Sequence, residues 1–277
     1  MFFAGAWLGR ELGVLLSHMA SQAGFPSRYC CLGPRGGWFT RLPVLGHFAR
    51  PRASQSRRAF SLELATAVAF ISCWALFPPA KAPCIAILLL GLIGASWIDL
   101  DHMIIPDLFT IGLALAGLAL SALVPALHGI GSYSAYDHAR SFATALLGLG
   151  VGSALALWIA VLGEWILDKE VLGFGDVKFL GAIGAFCGWQ GAVFSLFGGA
   201  LAGAVALIAA EIHRRVCGEA TVQLFQVESS AGEKGKLGLA AHFPFGPMLA
   251  VAATAYVLGM HPVIDRFLSC YAALFRP

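Results

Sequence analysis

The feature that most constrains this chain is a series of apolar runs, each about as long as a helix that crosses a bilayer. Such a helix needs roughly 20 apolar residues to cross about 30 Å of hydrocarbon. The whole chain is 58% hydrophobic and only 12% charged, whereas soluble domains carry roughly 25% charged residues. The runs lie at 2–20, 60–77, 83–98, 108–127, 142–164, 178–212 and 244–260.

The run 178–212 is long enough to hold two short spans. Gly188-Trp189-Gln190-Gly191 lies in its middle and predicts a turn there. The tail 262–275 is expected to lie in the membrane interface. The sequence therefore predicts an all-α polytopic membrane protein with about eight transmembrane helices.

The distribution of positive charge supports this count. Residues 21–59 contain seven arginines and no acid, and loops rich in Lys and Arg stay in the cytoplasm. When Lys178 is counted with the third cytoplasmic loop, eight spans place 13 Lys and Arg inside and 4 outside. A single span at 178–212 would move Arg214 and Arg215 outside. The cytoplasmic loops predicted after the first one are 99–107, 165–177 and 213–243.

The chain divides into two predicted parts. Residues 1–59 hold the first span and the Arg-rich loop, and residues 60–277 form the membrane-embedded part. The Arg-rich loop is explained by topology and by contact with anionic membrane lipids, so no nucleic-acid partner is predicted. The seven cysteines show no repeated CxxC spacing, so neither a disulfide framework nor a metal site is expected.

Two acidic segments fall on the predicted cytoplasmic side, each where a loop meets a helix end. Asp99 directly follows an apolar run, and acids at membrane depth usually face a cavity or a partner. Asp101 and Asp107 are interpreted as turn residues, with Pro106 and Asp107 beginning the next helix.

The second acidic segment contains Asp176, preceded by Gly173 and Gly175. Two glycines before an Asp allow the backbone to bend closely and bring the carboxylate in from a loop. The simpler alternative is an Asp that caps a helix over 178–188. Lys178 either contacts lipid phosphates or acts electrostatically on Asp176, and the sequence leaves both readings open.

A pair of carboxylates suits peptide hydrolysis. Two carboxylates held close cannot both ionise cheaply, so they share one proton. The ionised member takes a proton from water while the protonated member donates to the carbonyl oxygen. This chemistry needs no metal or cofactor, and the chain contains neither an HExxH zinc motif nor a GxSxG nucleophile motif.

The two segments resemble the aspartate motifs of the type IV prepilin peptidases, bacterial members of the GxGD group of membrane aspartic proteases. The resemblance covers about residues 60–260 in order. It implies that Asp99 and Asp176 are the catalytic pair, with Gly173, Gly175, Lys178 and Pro106 in supporting positions. The motifs are Ile98-Asp99 through Ile105-Pro106-Asp107, Gly173-Phe174-Gly175-Asp176-Val177-Lys178, and Phe243-Pro244-Phe245-Gly246-Pro247.

The resemblance also implies an activity and a location. The family removes leader peptides from type IV prepilins and type II secretion pseudopilins, after a glycine and at the cytoplasmic face of the bacterial inner membrane. Many members also carry two CxxC pairs in the first loop, which bind zinc and are linked to N-methylation of the new N-terminus. Here Cys30-Cys31 and 50–54 stand in their place, so zinc binding is predicted to be absent. S-adenosylmethionine is expected only if methylation is retained.

Two other classes remain as alternatives. A transporter or channel could use the acids as a proton or cation relay, which predicts an inverted repeat and acids near the midplane. No such repeat is visible in the sequence. A structural membrane subunit could keep the fold without activity, although both acids are still present.

Overall fold

A computed structural model describes residues 1–22, 57–168, 171–217, 244–264 and 266. These residues are almost entirely helical and contain no strand. Three longer segments lie outside the described residues. They are residues 23–56 of the Arg-rich loop, most of the 213–243 loop and most of the tail. The helices are α1 Phe2–Gln22, α2 Arg57–Leu76, α3 Ala82–His102, α4 Leu113–Leu123, α5 Ala135–Leu167, α6 Phe174–Cys217 and α7 Gly246–Ala255.

Five helices in the described part of the chain are long and apolar enough to cross a membrane. The helical run Leu108–Leu123, which joins a π-helical turn to α4, is apolar but shorter. When α6 is counted as two arms and α1 is included, the bundle contains eight helical segments. The predicted all-α polytopic fold is therefore confirmed. The five long spans are Ala59–Leu76, Ala82–His102, Ala135–Leu167, Phe174–His213 and Gly246–Ile264.

The helix α6 reverses direction at Gly188, where the backbone has φ 70° and ψ 179°. A Cβ built on Gly152 of α5 would lie 2.7 Å from the Leu180 carbonyl oxygen and 3.2 Å from Ala192 Cβ. A straight helix would separate those two α6 residues by about 18 Å. The two arms, 174–187 and 189–217, therefore form an antiparallel hairpin. The turn predicted around Gly188 is confirmed.

The reversal places the charged groups of the bundle at two separate ends. Asp99, Asp107 and Asp176 lie at one end, which we call the acidic end. At the opposite end, Lys81 and His128 line a cavity of about 120 Å³ beside the Gly188 turn. These three acids are therefore gathered near one face of the bundle, as the topology predicts.

Two predicted helix boundaries are wrong in ways that affect the acids. The helix α3 continues to His102 instead of ending near residue 98, and it stops where Met103 adopts φ 54° and donates its N–H to the Asp99 carbonyl at 2.8 Å. The helix α6 begins at Phe174, not at residue 178. Both Asp99 and Asp176 consequently lie within terminal helical turns, because the helical backbone continues beyond the apolar runs that predicted the spans.

Close packing between α5 and the α6 hairpin gives a first prediction. A Cβ at Gly148 would overlap the carbonyl oxygen of Gly184, so Gly148→Ala forces the helices apart. We expect it to destabilise the protein by about 1–3 kcal/mol, as overpacking does. Gly150→Ala is the control, because Gly150 faces open space on the same helix, and its effect should stay within about 0.5 kcal/mol. Thermal unfolding in detergent measures both, and equal midpoints would contradict the packing.

A second prediction concerns His128, in the connection before α5. Burial, with help from the Lys81 charge, lowers the pKa of His128 from 6.5 to about 4. As the pH falls, the unfolded chain protonates His128 at a higher pH than the folded protein does. The contribution of neutral His128 to the free energy of unfolding is therefore complete above about pH 6.5 and is lost as the pH drops toward 4. Replacing His128 by Gln should reduce that acid-dependent loss by up to about 3 kcal/mol. Unfolding midpoints at pH 7.5 and 4.5 test this, and parallel losses in both proteins would refute it.

Candidate active site

Asp99 is a buried carboxylate in the last turn of α3. Its side chain is only 5% exposed. The backbone N–H of Gly246, at the first position of α7, donates to Asp99 Oδ2 at 3.1 Å. A Cβ added to Gly246 would lie only 2.7 Å from that oxygen. The start of α7 therefore contacts Asp99 directly and needs a glycine to do so.

Asp176 lies in the first turn of α6 and is half-buried. Its backbone N–H donates to the Gly173 carbonyl at 3.0 Å, and a Cβ built on Gly173 would lie 3.6 Å from Asp176 Oδ2. The carboxyl group is close enough to Asp99 for the Asp99 charge to act on it. The structure thus brings together the two acids that the sequence predicts as a pair.

The segment between α3 and α4 lies between these two sites. Ile105 Cδ1 would be 3.0 Å from a Cβ on Gly246, and Ile105 Cβ would be 3.6 Å from a Cβ on Gly175. Pro106 follows Ile105, and a residue before proline is restricted to extended backbone. Ile105 therefore contacts Gly175, which precedes Asp176, and Gly246, which donates to Asp99.

Lys178 pairs with an acid that sequence reasoning treated only as a helix start. Its Nζ lies 2.8 Å from Asp107 Oδ1. The hydrogen bond and charge of Lys178 lower the pKa of Asp107. Asp107 does begin a helical turn, as predicted, but the ion pair was missed. The only signal in the sequence was the opposite charge of two motif residues predicted on the same membrane face.

The two glycines of the second motif do not adopt the left-handed backbone that glycine allows. Among the described glycines, positive φ angles occur at Gly129 and Gly188, and not at Gly173 or Gly175. The turn from Gly173 to Asp176 is therefore made without a left-handed residue.

The arrangement can hold and move protons but offers no metal site in the described residues. No group of three or more His, Cys, Asp and Glu side chains in that part of the chain is placed to bind a metal ion. Cys30 and Cys31, on which the zinc prediction depends, lie outside the described residues. The fold and site together define a multi-pass membrane protein with two neighbouring carboxyl groups at one end of its bundle.

Comparison with known proteins shows which family the chain resembles. Residues 86–208, which include both acids, match the sequence model of the type IV leader peptidase family. These residues are therefore similar to that family, and the predicted resemblance of the motifs is confirmed. No solved structure is similar enough to count as a match.

Individual relatives agree with the family match. The chain is 29% identical over 220 residues to a prepilin leader peptidase/N-methyltransferase of Stutzerimonas stutzeri, covering 78% of this chain and 64% of that protein. It is 27% identical over 267 residues to the protein of that name from Burkholderia pseudomallei, covering 90% and 75%. The Escherichia coli K12 relative of that name is 32% identical over 148 residues, covering 53% and 59%. The chain thus spans about two thirds of the length of these relatives.

Proposed function

We propose that this protein is an aspartic endopeptidase that removes leader peptides from type IV prepilins or type II secretion pseudopilins. One observation carries the proposal: Asp99 and Asp176, 77 positions apart in the chain, lie at the same end of the bundle, where the Asp99 charge reaches Asp176. The family of the matched residues and the names of the relatives support the choice of substrate.

The mechanism needs one water and one shared proton. The ionised carboxylate removes a proton from water, whose oxygen forms a bond to the scissile carbonyl carbon. The protonated carboxyl group donates to the carbonyl oxygen. Collapse of this intermediate breaks the C–N bond, and the carboxyl group that took the proton from water gives it to the leaving amine. The other carboxylate takes a proton back from the hydroxyl oxygen as the carbonyl re-forms, which restores the shared proton. The Gly246 N–H holds the Asp99 carboxylate in a fixed orientation during these steps.

The charge distribution of the sequence supports a cytoplasmic location for the site. The Arg-rich loop ends at α2, which places the start of α2 inside by the positive-inside rule. Alternating helices from that point bring the acidic end to the cytoplasmic face of the inner membrane. A prepilin would lie with its apolar helix against the bundle and present its leader junction to the two acids.

Proteolysis in this scheme requires no cofactor. The relatives are also named as N-methyltransferases, and methylation with S-adenosylmethionine remains an open second activity of this chain. The Arg-rich loop, where the methylation-linked cysteine pairs would stand, lies outside the described residues. The predicted loss of zinc binding and the division of the chain at residue 59 both stay predictions.

The proposal is tested with the purified full chain in lipid vesicles and a purified prepilin. We expect cleavage after the leader glycine, read by mass spectrometry of both products. A prepilin whose glycine is replaced by a bulky residue should stay intact and serves as the substrate control. If the wild-type prepilin stays intact and protons or cations cross the vesicle membrane, the transporter alternative is favoured. An intact prepilin without flux would favour a structural subunit.

A further inference from the structure

We propose that the Asp107–Lys178 ion pair is a clasp that positions the two acid-bearing segments for cleavage. The inference rests on the proposed function. Asp107 ends the connection between α3 and α4, and Lys178 lies two residues after Asp176 in α6. Their side chains meet at 2.8 Å although they are 71 positions apart. The pair therefore links the connection that follows Asp99 to the helix that carries Asp176.

The contacts of Ile105 explain how this link reaches the reacting groups. Ile105 lies two residues before Asp107 and packs against Gly175 on one side and Gly246 on the other. Gly175 precedes Asp176, and Gly246 donates its N–H to Asp99. Pro106 limits the backbone freedom between Ile105 and Asp107. Holding Asp107 in place therefore holds Ile105 against the residues next to both acids.

Both ends of the clasp are themselves restrained. Thr110 Oγ1 donates to Asp107 Oδ1 at 3.4 Å from the turn that follows. The Lys178 ammonium lies 5.1 Å from the centre of the Phe174 ring, within range of a cation–π interaction. The ion pair thus has a defined geometry despite its position at the surface.

A surface ion pair adds little to global stability. Its effect on catalysis can be larger, because a displacement of about 1 Å at a reacting group can cost roughly 100-fold in rate. The clasp therefore predicts variants that fold normally and bind substrate normally but turn it over slowly. A merely structural role would change stability and leave the turnover of the folded protein unchanged.

The test compares Asp107→Asn, Lys178→Gln and the double variant in the vesicle assay. We expect each single change to lower kcat about 10-fold, with KM within about 3-fold, since the reacting groups are displaced but substrate contacts remain. The double variant should be no slower than the worse single variant, because both remove the same interaction. Lys178→Arg should recover most of the turnover, and thermal unfolding midpoints should match the wild type.

The matched control is Lys81→Gln, which removes a cation at the opposite end of the bundle and should leave kcat unchanged. Wild-type turnover in the single variants, or a double variant whose loss is the product of the two single losses, would overturn the clasp. A wild-type protein that cleaves no prepilin would instead overturn the proposed function. The two failures are therefore distinguishable within one experiment.

Discussion

Replacing Asp99 or Asp176 by Asn is expected to abolish prepilin cleavage, with rates at least about 10³-fold lower in each variant. An Asn amide keeps the size and shape of the carboxyl group, but it can neither take a proton from water nor supply one to a carbonyl oxygen. Because the two acids act on one substrate bond, loss of either should be as severe as loss of both. Cleavage of a co-expressed prepilin, with the amount of membrane-inserted protein measured in parallel, checks the expectation.

Asp168→Asn is the matched control for these variants. Asp168 ends α5 with φ 52°, a left-handed conformation that Asn also adopts readily. The substitution removes one acid from the segment that leads to Asp176. Asp168 itself has no assigned role in cleavage. Its prepilin should be processed as in the wild type. Full processing by the Asp99 or Asp176 variant would refute the catalytic assignment.

Replacing Gly246 by Ala is expected to lower kcat by about 10- to 100-fold while the protein still folds. The new Cβ would lie 2.7 Å from Asp99 Oδ2 and 3.0 Å from Ile105 Cδ1, so the Asp99 side chain or the start of α7 must shift. A shift of that size at a reacting carboxylate costs roughly this factor. Helix propensity favours Ala over Gly, which works against a large loss of stability.

The Gly259→Ala variant provides the comparison for this prediction. Gly259 lies in the π-helical turn that follows α7, and a Cβ there would meet no atom within 4 Å. The measurement is kcat for prepilin cleavage, together with the thermal unfolding midpoint of each variant. Equal turnover in the Gly246 and Gly259 variants would show that close approach of α7 to Asp99 is not needed.

Much of the fold was predictable because it depends on properties that are read along the chain. The length of the apolar runs indicates how many helices can span the membrane. Gly188 predicts the reversal inside α6 because glycine is common in turns. The backbone angles that it adopts there are ones that favour glycine. The two acids stand out because charge is costly at membrane depth. Their nearness to each other followed from topology.

The contacts that complete the site could not be predicted in this way. Helix ends near Asp99 and Asp176 were misplaced because backbone hydrogen bonds, and not the apolar pattern, decide where a helix stops. The partner of Lys178 could not be predicted, because its position in the motif fits contact with lipid phosphates as well as an electrostatic effect on Asp176.

The sequence by itself determined the membrane class, the helical architecture and the two acids. Only the tertiary structure decided that the Gly246 N–H, 147 positions from Asp99, donates to its carboxylate, and that Lys178 pairs with Asp107. The physical reason is that burial and charge are properties of each residue and its neighbours in the chain. Contacts between distant residues depend instead on how the helices pack, and glycine positions without a Cβ determine how closely they approach.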